Sequence, residues 1–319
     1  MAKLLNIGTR GSPLALAQSR ETLQRLADAH GWPSEDKIRE KADIVTIVTS
    51  GDKIQDKALR AFGGKGLFTK EIEDALLDGR IDLAVHSMKD VPTKLPDGLR
   101  LCAFLPREDP RDAFISHKAK SLEELPAGSV VGAASIRRQA QVLKARPDLK
   151  VETIRGTVET RLRKLADGEV DATFLALAGL RRLGLADKLT AICEVDDMLP
   201  AVAQAAIGLE VRSDDAETLG MLAPLNHRET EIRLSAERAF LAALDGSCRT
   251  PIAALAELDG DALRFRGQVL APDGKESHDV DRSIRLERDP VAEAYELGAK
   301  AGDDIAKAAG PAFLDAIKL

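Results

Sequence analysis

Aromatic residues make up only 3% of this 319-residue chain: one Trp, one Tyr and eight Phe. A core built from it must consist mainly of Leu, Ala, Ile and Val, and stacking platforms for single-stranded nucleic acid are not to be expected. Positive charge is not in surplus either. Against 52 acidic residues stand 46 Lys and Arg, a formal net charge of -6, which speaks against a nucleic-acid-binding regulator. The three cysteines, Cys102, Cys193 and Cys248, are far apart and odd in number. They form neither a disulfide framework nor a thiolate metal site. No apolar run approaches the ~18 residues of a membrane span. The opening Met-Ala-Lys-Leu-Leu-Asn-Ile has no apolar core of a secretion signal. The expected setting is a reducing cytoplasm, without membrane or metal. A GxGxxG fingerprint is missing, and Gly63-Gly-Lys-Gly66 fails as a phosphate loop because Gly66, not Ser or Thr, follows Lys65.

What is present reads as a soluble α/β protein, 44% hydrophobic and 31% charged. Leu5 to Gly8 predicts a strand. Ser12-Pro13 opens a helix to about Ala29, with Ser as cap and Pro at the first helical position. Asp43 to Thr49 reads as a strand, Thr69 to Leu77 as a helix and Asp82 to Val85 as a strand, the βαβαβ order of a parallel sheet. The Pro-flanked stretch Leu105 to Pro110 reads as a crossing. Beyond it, strands at Ser129–Gly132, Val151–Ile154 and Asp171–Ala176 alternate with helices at Ile136–Ala145 and Val158–Ala166. Leu199-Pro200 marks a return crossing. The tail predicts a helix over 229–244, strands over 253–258, 263–270 and 279–286, and a closing helix over 291–309: a smaller α+β domain.

The segment Asp82 to Asp90 carries the most chemistry. A short apolar run ends at His86, Ser87, Lys89 and Asp90. Strand ends of open α/β sheets are where ligands bind, and adjacent Lys and Asp can hold an anion and an N–H donor. A solvated turn explains this segment equally well by itself. Arginines recur at the same kind of place: Arg10 after the first strand, Arg137 and Arg138 at a helix start, Arg155 before a helix whose first turns hold Arg161. Any one of them is ordinarily a solvated surface group. Together, beside helix N-termini, they describe a site for several carboxylates or phosphates. Lys65 offers a further cation on its glycine-rich loop. Cys248 sits in a turn bounded by Gly246 and Pro251 with Arg249 adjacent. A neighbouring cation favours thiolate, which makes a covalent role plausible beside the ordinary reading of a packed thiol.

In this order, Thr9-Arg-Gly-Ser-Pro-Leu-Ala-Leu16, Gly63-Gly-Lys-Gly-Leu-Phe68, Val85-His-Ser-Met-Lys-Asp-Val-Pro92, Arg107-Glu-Asp-Pro-Arg-Asp-Ala-Phe114, Ser135-Ile-Arg-Arg-Gln139, Ala178-Gly-Leu-Arg-Arg-Leu-Gly184 and the Cys248 turn resemble the porphobilinogen deaminase (hydroxymethylbilane synthase) family. The resemblance implies a transferase that joins four porphobilinogen molecules head to tail on a dipyrromethane primer, releasing ammonia each time, and then frees the linear tetrapyrrole by hydrolysis. It implies two periplasmic-binding-protein-like (type II), doubly wound α/β domains, residues 1–105 with 206–223 and residues 111–199, plus a small α+β domain at 228–319. By the same match Asp90 is catalytic, stabilising the cationic azafulvene that forms when ammonia leaves. Cys248 carries the primer through a thioether, and Lys65, Ser87, Lys89, Ser135, Arg137 and Arg138 bind it. Arg10, Ser12, Arg155, Arg161, Arg182 and Gln204 serve the incoming substrate and growing chain. A cytoplasmic monomer is implied.

Several positions depart from the family pattern. Ala133 replaces a threonine, Ala61 a lysine, and Ala203 and Ala205 replace glycines around Gln204. The competing reading is a dicarboxylate receptor, which would have no use for Cys248 or Asp90.

Overall fold

The computed structural model describes residues 4–53, 66, 68–247 and 249–318. Lys65, with Gly63, Gly64 and Ala61, and Cys248 lie outside the described residues.

The chain begins with β1 (Leu5–Arg10), α1 (Pro13–Ala29), α2 (Glu35–Lys41), β2 (Ala42–Ile47), the single turn α3 (Ser50–Lys53), α4 (Lys70–Leu77), β3 (Leu83–Ser87) and β4 (Leu99–Phe104). The middle holds β5 (Asp112–Ser116), β6 (Val130–Gly132), α5 (Ile136–Ala145), β7 (Lys150–Glu152), α6 (Val158–Ala166), β8 (Ala172–Ala176), α7 (Leu177–Arg182) and β9 (Ala191–Ile192). Then come β10 (Ile207–Arg212), α8 (Ala216–Leu222), α9 (Arg228–Ala243), β11 (Ile252–Asp259), β12 (Ala262–Leu270), β13 (Ser277–Arg285) and α10 (Pro290–Ile317).

These elements form two compact units. One holds the described residues up to 108 together with 206–231, the other 109–205 together with 232–318. The first unit is built on a sheet of order β2-β1-β3-β10-β4, in which β1 runs parallel to β2 and β3 while β10 runs against β3 and β4. The second unit has a sheet of order β7-β6-β8-β5-β9, with β6 parallel to β7 and β8 and β5 antiparallel to β8 and β9. Each sheet therefore reverses its winding order beside its first parallel strand, at β1/β3 and at β6/β8. Those are the places where the carboxyl ends of neighbouring strands leave a crevice. A three-stranded antiparallel meander, β11-β12-β13, completes the second unit. Both α/β sheets are buried on both faces. In the first, Leu83, Val85, Ile207 and Leu209 belong to one apolar layer, and Ala84 faces the other with Ile72, Ala75 and Leu76.

Local chemistry explains the helix starts. Ser12, Ser135 and Thr157 accept hydrogen bonds from Ala15, Arg138 and Thr160 N–H groups and so cap α1, α5 and α6. The small C-terminal sheet packs tightly within its own unit. A Cβ at Gly274 would sit 2.4 Å from the Lys144 backbone nitrogen on α5, and one at Gly298 would sit 1.9 Å from the Ala236 carbonyl oxygen on α9.

Four departures from the sequence reading stand out. α2 was not expected. Its Ser34 cap, acidic start and basic end are all present, but it buries no residue, so no apolar stripe announces it. Strands β4 and β5 were likewise not anticipated. β3 runs two residues beyond Val85, because His86 and Ser87 pair with Gly208 and Ile207 of β10. The last helix continues past Ala309 to Ile317 across a break at Gly310 (φ 76°) and Pro311, where proline removes the N–H that a continuous helix needs.

Candidate active site

In the first unit, Arg10, Ser12, Ser87, Lys89 and Asp90 line one pocket at the β1/β3 crevice. β3 delivers His86 and Ser87, and a short 3₁₀ turn, Met88–Asp90, delivers Lys89 and Asp90. Met88 anchors the turn. Its N–H donates to the Ala206 carbonyl (3.0 Å), and its side chain is 1% exposed. The space it fills exists because residue 208 is glycine: a Cβ there would lie 2.1 Å from the Met88 sulfur. With Met88 drawn into the core, Lys89 and Asp90 face the pocket.

Arg10 is held from two sides. It forms an ion pair with Asp52, and its guanidinium carbon lies 4.3 Å from the centre of the Phe68 ring. Burial would raise the Asp52 carboxyl, but hydrogen bonds from Arg10 and Thr49 outweigh it and hold Asp52 below its ordinary value. Ser12 spends its hydroxyl oxygen on capping α1. Gln18 and Phe68 also line the pocket. The sequence reading singled out neither one, since an α1 glutamine and a phenylalanine after a glycine-rich loop carry no signal of their own.

In the second unit Arg137, Arg138 and Gln204 gather around one carboxylate, Asp112. Asp112, at the start of β5, is fully buried. Arg137 Nη2 donates to it at 2.6 Å, and Arg138 donates through Nε and Nη2 at 3.2 and 2.8 Å. Arg137 also donates to the Leu199 carbonyl and Arg138 to that of Phe174. The Gln204 amide donates to Asp112 Oδ1 and to the Pro110 carbonyl, both at 2.7 Å. Burial would push Asp112 up, but the two guanidinium charges win and hold it well below the usual carboxylate range. Burial in turn lowers Arg137, despite the opposing pull of Asp112. The open cations expected at this helix start are thus buried ones, two positive charges on one negative. Arg137 Nε has no hydrogen-bond partner among the described residues.

The next strand-to-helix junction carries Arg155, followed by Gly156 at φ 114°. The buried Arg155 Nε has no hydrogen-bond partner among the described residues, and desolvation lowers its pKa. Arg161 donates to the Gly156 carbonyl (3.1 Å) and Arg182 to the Ala205 carbonyl (3.2 Å). Ala203 and Ala205 sit at φ 58° and 74°, a conformation that glycine would adopt without strain. The fully buried Glu237 of α9 holds this strained segment. Its carboxylate accepts from Ala203 N–H at 2.7 Å and from Ala256 N–H at 2.9 Å. Glu237 is a second functional candidate that the sequence did not reveal, because its partners lie far off in the chain.

Cys102 and Cys193 are disfavoured as thiolates. Burial pushes each thiol up to about 12. The turn around position 248 is braced on both sides: Ser247 N–H donates to Thr250 Oγ1 (2.9 Å), and Arg249 N–H to Ser247 Oγ (3.2 Å). Among the described residues no group of three His, Cys, Asp or Glu could hold a metal ion, and no helix is long and apolar enough to cross a membrane.

Two family models match the chain: the porphobilinogen deaminase dipyromethane cofactor binding domain over residues 5–220, and the porphobilinogen deaminase C-terminal domain over residues 232–307. A porphobilinogen deaminase of Nitrobacter hamburgensis is 57% identical over 310 residues, 97% of this chain and 95% of that protein. A chloroplastic porphobilinogen deaminase of Oryza sativa subsp. japonica is 54% identical over 316 residues, 99% of this chain and 87% of that one. Among solved structures, the methionine binding protein MetQ is similar at 15% identity and a TM-score of 0.43, covering 70% of this chain and 89% of its own.

Proposed function

The chain belongs to the porphobilinogen deaminase family, and from that membership we propose how its own residues carry the reaction. The enzyme is a transferase, hydroxymethylbilane synthase. It condenses four porphobilinogen molecules head to tail with loss of ammonia, and hydrolysis releases the linear tetrapyrrole.

The residues present suit a dipyrromethane primer. Each pyrrole unit bears an acetate and a propionate, and the chain offers Lys89 and Arg10 in the first unit's pocket and Arg155, with its orphaned buried Nε, in the second. Such a primer supplies a pyrrole carbon nucleophile for the first incoming substrate. In this reading Cys248 holds the primer through a thioether, the half-buried Cys102 and Cys193 thiols being pushed up to about 12. Lys65, Ser87, Lys89, Ser135, Arg137 and Arg138 hold the primer, and Arg10, Ser12, Arg155, Arg161, Arg182 and Gln204 hold the substrate and growing chain. Arg137 and Arg138 act largely as a fixed positive field, one charge in excess of Asp112. Arg182 and Gln204 also brace the strained 203–205 segment. Setting and assembly belong to the same proposal: a cytoplasmic monomer, eluting as one 34.3 kDa chain.

Asp90 is the acting carboxylate. It lies in a pocket whose other charged groups include Arg10 and Lys89, and that placement is the observation that carries the reading. The cations bind substrate carboxylates, while Asp90 accepts from pyrrole N–H groups. As ammonia departs and positive charge spreads over the ring, a carboxylate already fixed in place stabilises it without reorganising. Asp90→Asn keeps the shape and removes the charge. It is expected to fold and to accept primer, yet to lose about 10²-fold or more in kcat. Near-native turnover by the loaded variant would contradict the assignment.

A further inference from the structure

Beneath the Asp90 pocket lies a buried polar cluster that this reaction scheme leaves unused. The alternation of β3 and β10 puts Ala84, His86 and Glu210 on the sheet face that packs against α4, a layer otherwise filled by Ile72, Ala75, Leu76 and Ile81. His86 Nε2 lies 2.8 Å from Glu210 Oε2, and their side chains are 4% and 0% exposed. From α4, Glu73 joins them at 6% exposure. Burial raises the Glu73 carboxyl; the Thr69 hydroxyl opposes this, Glu210 adds to it and His86 subtracts. Glu73 Oε1 and Glu210 Oε1 have no hydrogen-bond partner among the described residues. Burying two carboxylates in an apolar layer costs several kcal/mol each by order of magnitude. Apolar side chains would stabilise the same layer better.

The ring geometry points to a use. A carboxylate at 210 takes His86 Nε2–H as its donor, and that pairing selects the tautomer whose basic nitrogen is Nδ1. Nδ1 makes no hydrogen bond to any described residue, and His86 lines the same pocket as Asp90. Each condensation breaks the substrate's C–N bond, forms a C–C bond and expels one proton from the carbon that gains the new bond. Ammonia leaves, and with that proton it becomes ammonium. We propose that His86 Nδ1 takes up this proton once the C–C bond has formed and passes it on to the ammonia already expelled, which becomes ammonium, with Glu210 orienting the ring and balancing the imidazolium charge. Burial raises the Glu73 carboxyl, which disfavours a second negative charge beside Glu210. The inference rests on the deaminase reading and extends it. Asp90 stabilises charge, and His86 moves the proton.

The groups bearing on His86 are Glu210 from β10, Glu73 from α4 with Asp74 behind it, Lys89 and Asp90 from the following turn, and Arg10 from β1. Cys102 of β4 feels Glu210 but stays a thiol. Removing the carboxylate at 210 takes away the acceptor that orients the ring and the negative charge beside it.

The test uses the primer-loaded enzyme, with loading verified by intact mass. That check separates failure of this inference from failure of the deaminase reading, which would appear as protein unable to load from porphobilinogen. His86→Gln is expected to reduce kcat about 10²-fold, with KM changed less than about threefold, and to abolish the acid limb of kcat against pH. Glu210→Gln is expected to move that limb to lower pH. Imidazole ¹⁵N NMR of the native holoenzyme should show the Nε2–H tautomer, with Nδ1 titrating in the same range as the limb. Should His86→Gln not fold, Glu210→Gln and the NMR titration still decide. An acid limb unmoved in Glu210→Gln, or a His86 ring protonated on Nδ1 while the enzyme is active, would overturn the proposal.

Discussion

Asp112 shows what a single buried residue does here. It neutralises one of two buried guanidinium groups and ties Gln204 to them. Losing the carboxylate leaves that positive charge uncompensated, so Asp112→Asn is expected to cost about 3–5 kcal/mol of unfolding free energy, readable by urea denaturation. The pH dependence follows from the direction of its shift. The folded-state pKa is depressed, so the stability that Asp112 contributes is complete above its unfolded value, ~3.9, and is lost as pH falls through the folded one. The variant should therefore show a flatter acid limb of stability. The sequence marked Arg137 and Arg138 correctly as a charged pair at a helix start. It left their burial unread, since the carboxylate that buries them lies 25 residues away from Arg137 and nothing local announces it.

Among the elements, α1, α5 and α6 begin and end where the sequence pattern puts them; Ser12 is legible as the cap of α1, while the caps of the other two, Ser135 and Thr157, emerge from the structure. Elements whose partners are distant were not legible. The end of β3 is set by β10, more than a hundred residues on. The strained Ala203–Ala205 segment is set by Glu237 of α9 and by Arg182 of α7. The sequence did flag those alanines as needing a glycine-like backbone. It could not supply the carboxylate that compensates. Glu237→Leu should orphan two buried backbone N–H groups and lower stability by on the order of 2–4 kcal/mol. Glu237→Gln, which retains an acceptor, should recover part of that. Equal stability of Glu237→Leu and the native protein in thermal unfolding would remove Glu237 from this role.

At the scale of the whole molecule, an acidic protein handles a polyanionic product. In the proposed reading, a chain of net charge -6 holds a growing row of carboxylates through local cations, among them Arg10 and Lys89 in one unit and Arg155 in the other. The two-domain α/β plan was legible from alternating strand and helix signals. The site was legible mainly from the order of its motifs, since each motif alone has an ordinary structural explanation. The central claim is that this enzyme builds on a primer it carries covalently. The most direct measurement is the intact mass of the purified protein before and after incubation with porphobilinogen, with a peptide map across Gly246–Pro251, beside the Cys248→Ala variant. An added dipyrromethane is expected on Cys248 in the native protein and none in the variant. A native protein that stays bare after incubation, or a variant that acquires the same mass on another residue, would contradict it.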